Sequence, residues 1–343
     1  MIKGLDLARR FYQEAVAPTL DVPHSAGRLG SGSEVLGFDT AISADHEWGP
    51  RCQILVADPA EAERIQDDLS HTLPKTFLGY PTHFDANPLG SMAVTDGPVN
   101  HRIDVAETGT WAVRALGFNP LDGVTTFDWL STPTQAFAEI TAGAVFHDGL
   151  DVLHPLRAAI AWYPDDVWRY VLACQWQRLA QEEAFVGRAG EVGDELGSAV
   201  VAARQVRELM RLCLLLAKRY PPYSKWLGSA FAQLPHPTLQ VTLRGVLAAQ
   251  DYRSRGELLA DAYEAVGALQ NATGLTDSVD PTRRDYYERP YPVIRADRFV
   301  DALRDSLDAE LRNLPLTGAV DQWVDSTDFL MSAALRRAAT RLG

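Results

Sequence analysis

Apolar patterning changes character once along this chain, near residues 155–163, and that change restricts the folds open to it. Before it, apolar residues gather in short runs broken by Gly, Pro and Asp: Arg51–Val56 (RCQILV), 91–95, 101–106 and Gly143–His147 (GAVFH), with residues 23–39 (PHSAGRLGSGSEVLGFD) reading as a short strand that enters a tight turn. Runs of that length between turn residues predict strands. Helix signals are fewer there. Residues 5–18 have helical spacing, and Asp58-Pro59 with Glu61 forms a start signal for a helix to about Leu69. After the change the pattern is almost all helical. Pro164, Asp165 and Asp166 open a helix to about Phe185; further helices are expected at 196–220, 224–233, 237–250, 255–271 and 297–312, with a Pro-, Arg- and Tyr-rich loop at 277–292. The expected fold class is α+β: a domain built on a small mixed sheet over residues 1–155, then a helical bundle over 156–343.

Composition narrows the function classes. With 46% hydrophobic and 22% charged residues the chain can bury a sizeable core. Acidic residues outnumber basic ones 45 to 32, a net charge of −13, which argues against nucleic acid as a general partner, because such binders need a basic surface. Three widely spaced cysteines, Cys52, Cys174 and Cys213, form no metal knuckle and suit a reducing cytoplasm. The longest apolar run, Leu212–Ala217, is far below membrane-spanning length, and residues 1–16 contain no signal-peptide core, so a soluble protein without a membrane partner is expected. His83, His101, His147 and His154 are scattered without metal-ligand spacing, and there is no P-loop, nucleophile elbow or dinucleotide fingerprint.

The densest chemical signal is residues 30–48, GSGSEVLGFDTAISADHEW. A Gly32-Ser33 turn lets backbone N–H groups approach an anion closely. Asp45 and Glu47 stand two apart; in an extended segment both carboxylates would face one way, with His46 facing the other. Hard cations such as Mg²⁺ take such oxygen ligands, commonly together with substrate phosphates. A third acid, Asp104, lies between Ile103 and Val105 on a predicted strand.

This arrangement resembles the nucleotidyltransferase superfamily, which includes the aminoglycoside nucleotidyltransferases and DNA polymerase beta. Its signature is an apolar residue, Gly-Gly or Gly-Ser, roughly ten residues, an acid–any–acid pair, and a later acid between apolar residues. The segment GAVFHDGL is also similar to the superfamily strand that precedes the helical domain. More specifically, GSEVLGFD, DHEWGPR, TAGAVFHDG, QEEAFVGRAGEVGDELGS, AARQVRELMRLC and YPPYSKW, over roughly residues 25–230, resemble the DUF4037 family. Two positions depart from the superfamily pattern: His46 stands where an apolar residue is usual between the acids, and Ser31 where one is usual before Gly32.

The resemblance implies an enzyme that moves a nucleoside monophosphate, AMP from ATP being the expected case, to a hydroxyl of a small molecule with release of pyrophosphate. It implies Asp45 and Glu47 as ligands of two Mg²⁺ ions, Asp104 as completing that metal site or acting as general base, and Gly32 and Ser33 as the cradle of the terminal phosphates. The bundle is then the acceptor-binding domain. Glu183 is the candidate acceptor base, with Glu191 and Asp194 as alternatives, and Arg204, Arg207 and Lys225 are candidate anion-binding residues. Arg204, Arg207 and Arg211 share a helix face and need acidic partners, a phosphate or solvent; pairing with Glu191, Glu195 or Glu208 is the competing expectation. Rival functions are nucleotidylation of a protein side chain and a non-catalytic nucleotide-binding regulator. Either monomer or homodimer is compatible with the sequence.

Overall fold

The computed structural model describes residues 2–45, 48–86 and 90–341, with Ala44 and Asp45 described in backbone only. The fold is α+β, with a small mixed sheet and many helices. The chain forms two compact units. The first comprises residues 1–128, 135–161 and 331–337; the second comprises 129–134, 162–330 and 338–343. Contact in space thus exchanges two short segments, 129–134 and 331–337, across any single cut in the sequence.

In the first unit, helix α1 (Gly4–Phe11) leads to strand β1 (Ser25–Arg28), β2 (Gln53–Val56), α2 (Pro59–Thr72), β3 (Asp104–Glu107) and α3 (Thr108–Leu116). Helices α4 (Thr126–Ser131) and α5 (Thr134–Thr141) precede β4 (Ala144–Asp148) and α6 (Leu153–Ala159). The sheet order is β3-β2-β1-β4. β1 pairs antiparallel with both β2 and β4, while β2 and β3 run parallel, with Gln53 opposite Asp104. A parallel pair needs a crossover, and α2 lies within it. α2 starts where its signal predicts: the Asp58 carboxylate accepts from Ala60 N at 2.9 Å, with Pro59 at the first position. Leu7, Phe11, Val16, Ile54, Val56, Ile65, Leu69 and Ile103 close one face of the sheet into a core.

The second unit is helical: α7 (Asp165–Ala180), α8 (Phe185–Glu191), α9 (Glu195–Leu216), α10 (Ser224–Ala232), α11 (Pro237–Ala248), α12 (Tyr252–Ala272) and α13 (Asp297–Asp305). The helix expected to run to Phe185 ends at Ala180 and restarts as α8, and the one expected to reach Tyr220 ends at Leu216. The loop expected at 277–292 instead contains an antiparallel hairpin, β5 (Arg284–Tyr286) and β6 (Arg289–Val293). Its ladder shifts register between Arg289 and Pro292, which accommodates the two prolines that suggested a loop. α7 is buried nearly all round, the mark of a central helix. Its Trp176 stacks on Phe299 at 4.4 Å and donates to Gln270 Oε1 at 3.0 Å. No helix of the described residues is long and apolar enough to cross a membrane.

A buried polar network ties the second unit together. Arg211 donates to Asp321 Oδ2 at 2.9 Å, and the Thr134 hydroxyl donates to the same oxygen at 2.6 Å. Glu208 receives Arg178, Arg207 and the Gln175 amide. Burial alone would raise the Glu208 carboxyl, but Arg178, with Arg211 and Arg207, outweighs it and holds it at about 2. Removing one member of a buried pair leaves the other charge uncompensated. Arg211→Ala is therefore expected to destabilise the protein by about 3–5 kcal/mol. Arg204 is 47% exposed and reaches the buried Oε2 of Glu182 at 3.3 Å, so Arg204→Ala should cost less than Arg211→Ala, on the order of 1 kcal/mol. Urea denaturation of the two variants checks the contrast.

Candidate functional site

The Gly-Ser turn rests on a buried charge cluster of the first unit. Arg28, at the end of β1, is 2% exposed. Its Nε donates to Glu34 Oε1 at 2.9 Å, and its other nitrogens donate to the carbonyls of Leu29 and Ser31. Arg51 approaches the same carboxylate from the start of the β2 segment, Nη2 to Glu34 Oε1 at 2.8 Å. Burial pushes Arg28 down to about 10, helped by Arg51 and opposed by Glu34. For Glu34, burial acts upward, but the two guanidinium groups win and hold it below the ordinary carboxylate value. Two guanidinium groups share the Glu34 carboxylate, and the buried Glu139 carboxyl also interacts with Arg28.

The turn is shaped for that support. Gly30 and Gly32 have φ of +81° and +143°, a region that favours glycine. A Cβ built on Gly32 would lie 2.6 Å from Arg28 Nη2 and from Glu34 Oε2, so only glycine lets the backbone come this close. Gln53 of β2 accepts from Leu29 N at 2.8 Å, and Gly30 N donates to Glu139 O at 2.9 Å. The next three backbone N–H groups, of Ser31, Gly32 and Ser33, have no hydrogen-bond partner among the described residues. Ser31 is exposed, and Gly32 and Ser33 are partly so.

The acid motif lies beside this turn in sequence. Asp45 does not belong to an extended segment: it ends a 3₁₀ turn, Ala41–Asp45, and β2 begins only at Gln53. The Thr40–Ser43 exchange, with Ser43 N donating to Thr40 O and Thr40 N to the Ser43 hydroxyl, starts that turn. The expected alternation of Asp45, His46 and Glu47 along a strand is corrected to that extent. Glu47, His46 and the Asp45 side chain lie outside the described residues, so the convergence of Asp45 and Glu47 with Asp104 falls outside them too. Asp104 is described. It opens β3, and its carboxylate accepts from Trp111 Nε1 at 3.1 Å and from Arg114 Nη2 at 2.6 and 2.7 Å. Among the described residues no group of three His, Cys, Asp or Glu side chains stands ready to hold a metal.

The strand segment GAVFHDGL ends in Asp148, which acts as an anchor. It accepts from the Ser25 hydroxyl at 2.6 Å, from His154 Nδ1 at 2.7 Å, and from the N–H groups of Val152, Leu153 and His154. Burial opposes these donors, yet they hold its carboxyl far below the usual range. Ser25 and His154 both bond to the acid, so this trio lacks the serine–histidine link that nucleophilic catalysis requires.

In the second unit the predicted residues separate. Arg204 and Arg207 meet Glu182 and Glu208, and Arg211 meets Asp321. Of the expected acidic partners, only Glu208 joins the stripe; Glu195 pairs with Arg255, and Glu191 accepts from Tyr291 and Arg289. Asp194 caps α9, accepting from Gly197 N at 2.7 Å. Lys225 is exposed, its Nζ 4.9 Å from the Trp226 ring centre. Glu183 is 7% exposed in the turn between α7 and α8. Its Oε1 accepts from Ala296 N at 3.2 Å, and its buried Oε2 has no hydrogen-bond partner among the described residues.

Residues 129–227 match the family model described as "Domain of unknown function (DUF4037)". The matched stretch contains Glu183, Arg204, Arg207 and Lys225, and it starts well after the Gly-Ser turn and the three acids. No curated protein and no solved structure matches the chain significantly.

The Glu183 carboxyl yields a pH-dependent test. Burial raises it to about 7, and Asp297 adds to this, against the Ala296 and Ile294 N–H groups and Arg295. In the unfolded chain a glutamate releases its proton near 4.3. Folding therefore takes up a proton between about pH 4.3 and 7, and the stability linked to this group is lost as pH rises through that window. Glu183→Gln should gain on the order of 3 kcal/mol over wild type at pH 8 and almost nothing near pH 4.5. Urea melts of both proteins at the two pH values measure it.

Proposed function

We infer that the first unit is a metal-dependent nucleotidyltransferase, moving a nucleoside monophosphate, AMP from ATP in the first instance, to a hydroxyl of a small molecule. The observation that carries this reading is the row of three N–H groups at Ser31, Gly32 and Ser33, without a hydrogen-bond partner among the described residues, beside the Arg28–Glu34–Arg51 cluster. Consecutive free N–H groups at a glycine turn form an anion-binding concavity. The cations beneath it favour a polyphosphate there. The alignment of Asp104 with Gln53 adds support, because it sets the third acid beside the strand that follows the Asp45–Glu47 segment.

A divalent metal fits the donor chemistry. Asp45, Glu47 and Asp104 offer only carboxylate oxygens, the set Mg²⁺ prefers, and the Asp104 side chain is 36% exposed. Arg114, which spans both Asp104 oxygens, is itself 56% exposed and free to swing into solvent. Bound there, Mg²⁺ would neutralise the triphosphate and help place its α-phosphorus. The chain's own contribution is positioning: the Gly32 turn holds the terminal phosphates by backbone N–H groups, and Arg51, partly exposed, adds charge. The cytoplasm, where triphosphates abound, is the expected compartment; Cys52, Cys174 and Cys213 are unpaired and buried, as suits it.

Calorimetry of Mg²⁺-dependent ATP binding tests the assignment. Asp45→Asn or Asp104→Asn should weaken binding at least tenfold, whereas Asp58→Asn, which alters a helix cap, should leave it unchanged and lower stability by about 1 kcal/mol. Unchanged affinity in folded Asp45→Asn and Asp104→Asn proteins would remove the metal-ligand roles.

A further inference from the structure

Strand β3 runs straight into α3, and the junction fixes what stands over Asp104. Glu107 caps the helix, its carboxylate accepting from Gly109 N and Thr110 N at 2.7 Å, so this acid is committed to the backbone. Asp104 is open by comparison, its side chain 36% exposed. It stands in register with Gln53, so both point to one face of the sheet, and Gln53 holds Leu29 N just before the turn at 30–33. Trp111 and Arg114 lie three apart on α3 and share a helix face. Both reach back to the Asp104 carboxylate. The Trp111 indole donates to Oδ2 at 3.1 Å, and Arg114 Nη2 lies 2.6 and 2.7 Å from Oδ1 and Oδ2.

The form of the Arg114 contact sets how firmly it holds. Arginine grips a carboxylate best as a planar fork, two nitrogens on two oxygens. Here one nitrogen serves both oxygens, the place a single cation takes on a bidentate carboxylate. The Arg114 side chain is 56% exposed, and pairs this open to water contribute little to stability. Leaving the carboxylate does not strand Arg114, because it stands in the last turn of α3, where the helix terminus favours a cation. The Trp111 indole is buried, lacks that freedom, and keeps the carboxylate aimed.

We propose that Arg114 is a resident counter-ion of Asp104 that makes the site select a metal–triphosphate complex over the free divalent cation. The inference rests on the nucleotidyltransferase reading of this site. A free cation must displace Arg114 from the carboxylate and then sit beside its charge, so like-charge repulsion adds to the lost pair. A metal–triphosphate complex is a net anion, and the displaced guanidinium, still tethered to α3, attracts it. Asp104 thus stays neutralised until metal and nucleotide arrive together.

Mn²⁺ is the probe, because it takes the same oxygen ligands as Mg²⁺ and its free form is counted by electron paramagnetic resonance. The full chain is titrated with Mn²⁺ alone and, by calorimetry, with the Mn²⁺ complex of ATP. Arg114→Gln removes the charge, Arg114→Lys keeps it, and Arg10→Gln removes an equal charge from the exposed Glu14 pair; thermal melts confirm folding. Arg114→Gln is expected to bind free Mn²⁺ about threefold tighter or more, and the Mn²⁺–ATP complex about threefold weaker or more. Arg114→Lys and Arg10→Gln should stay near wild type in both. Adding Asp104→Asn to Arg114→Gln should abolish Mn²⁺ binding. Two affinities that stay unchanged or move together in Arg114→Gln would overturn the selective role alone, as would the same behaviour in Arg114→Lys or Arg10→Gln as in Arg114→Gln. Mn²⁺ bound equally by the double variant would contradict the metal-ligand role of Asp104 and, with it, this proposal.

Discussion

Glu34, shared between Arg28 and Arg51, is the interaction on which the first unit's functional reading depends. A buried arginine is expensive to desolvate, and Arg28 is 2% exposed. The carboxylate offsets that cost only because the chain turns back on itself within six residues, and the turn is open to the chain only because Gly32 lacks a side chain. The same guanidinium holds the carbonyls of Leu29 and Ser31, while the N–H groups of Ser31, Gly32 and Ser33 have no hydrogen-bond partner among the described residues. Consecutive donors of this kind at a glycine turn suit an anion.

The second unit uses buried charge differently. Arg211, Asp321, Glu208 and Arg178 form a network far larger than any exposed pair, and it absorbs most of an arginine stripe that would otherwise attract phosphate. Arg204 alone keeps an exposed, weak contact. Among the described residues Glu182, Glu183 and Asp321 each keep one buried carboxylate oxygen without a hydrogen-bond partner.

Much of the fold was legible because its signals are local. Asp58-Pro59 marks the start of α2 through a cap that forms within three residues, and the RCQILV and GAVFH runs have strand length and strand composition. The hairpin at 284–293 was not legible, since Pro290 and Pro292 argue against a strand unless the ladder shifts register around them. Helix α3 escaped notice because its cap is Glu107, which accepts from Gly109 and Thr110 N–H groups in place of the usual short side chain. In the site, Gly32 was visible as a turn, but its support was not. Nothing local says that Arg28, Arg51 and Glu34 come together there. The close approach of Gly187 to Tyr291, about a hundred residues away, is likewise encoded by no local pattern.

The central claim is that this chain breaks a nucleoside triphosphate between its α- and β-phosphates. The direct measurement is incubation of the protein with Mg²⁺, a cell extract and each of the four triphosphates, labelled in parallel at the α- and the γ-phosphate, followed by separation of the products. The account predicts α-label transferred to a small-molecule acceptor, γ-label recovered in pyrophosphate, and neither outcome with Asp104→Asn. Transfer of the γ-label, or no transfer from any triphosphate by the folded protein, would contradict it.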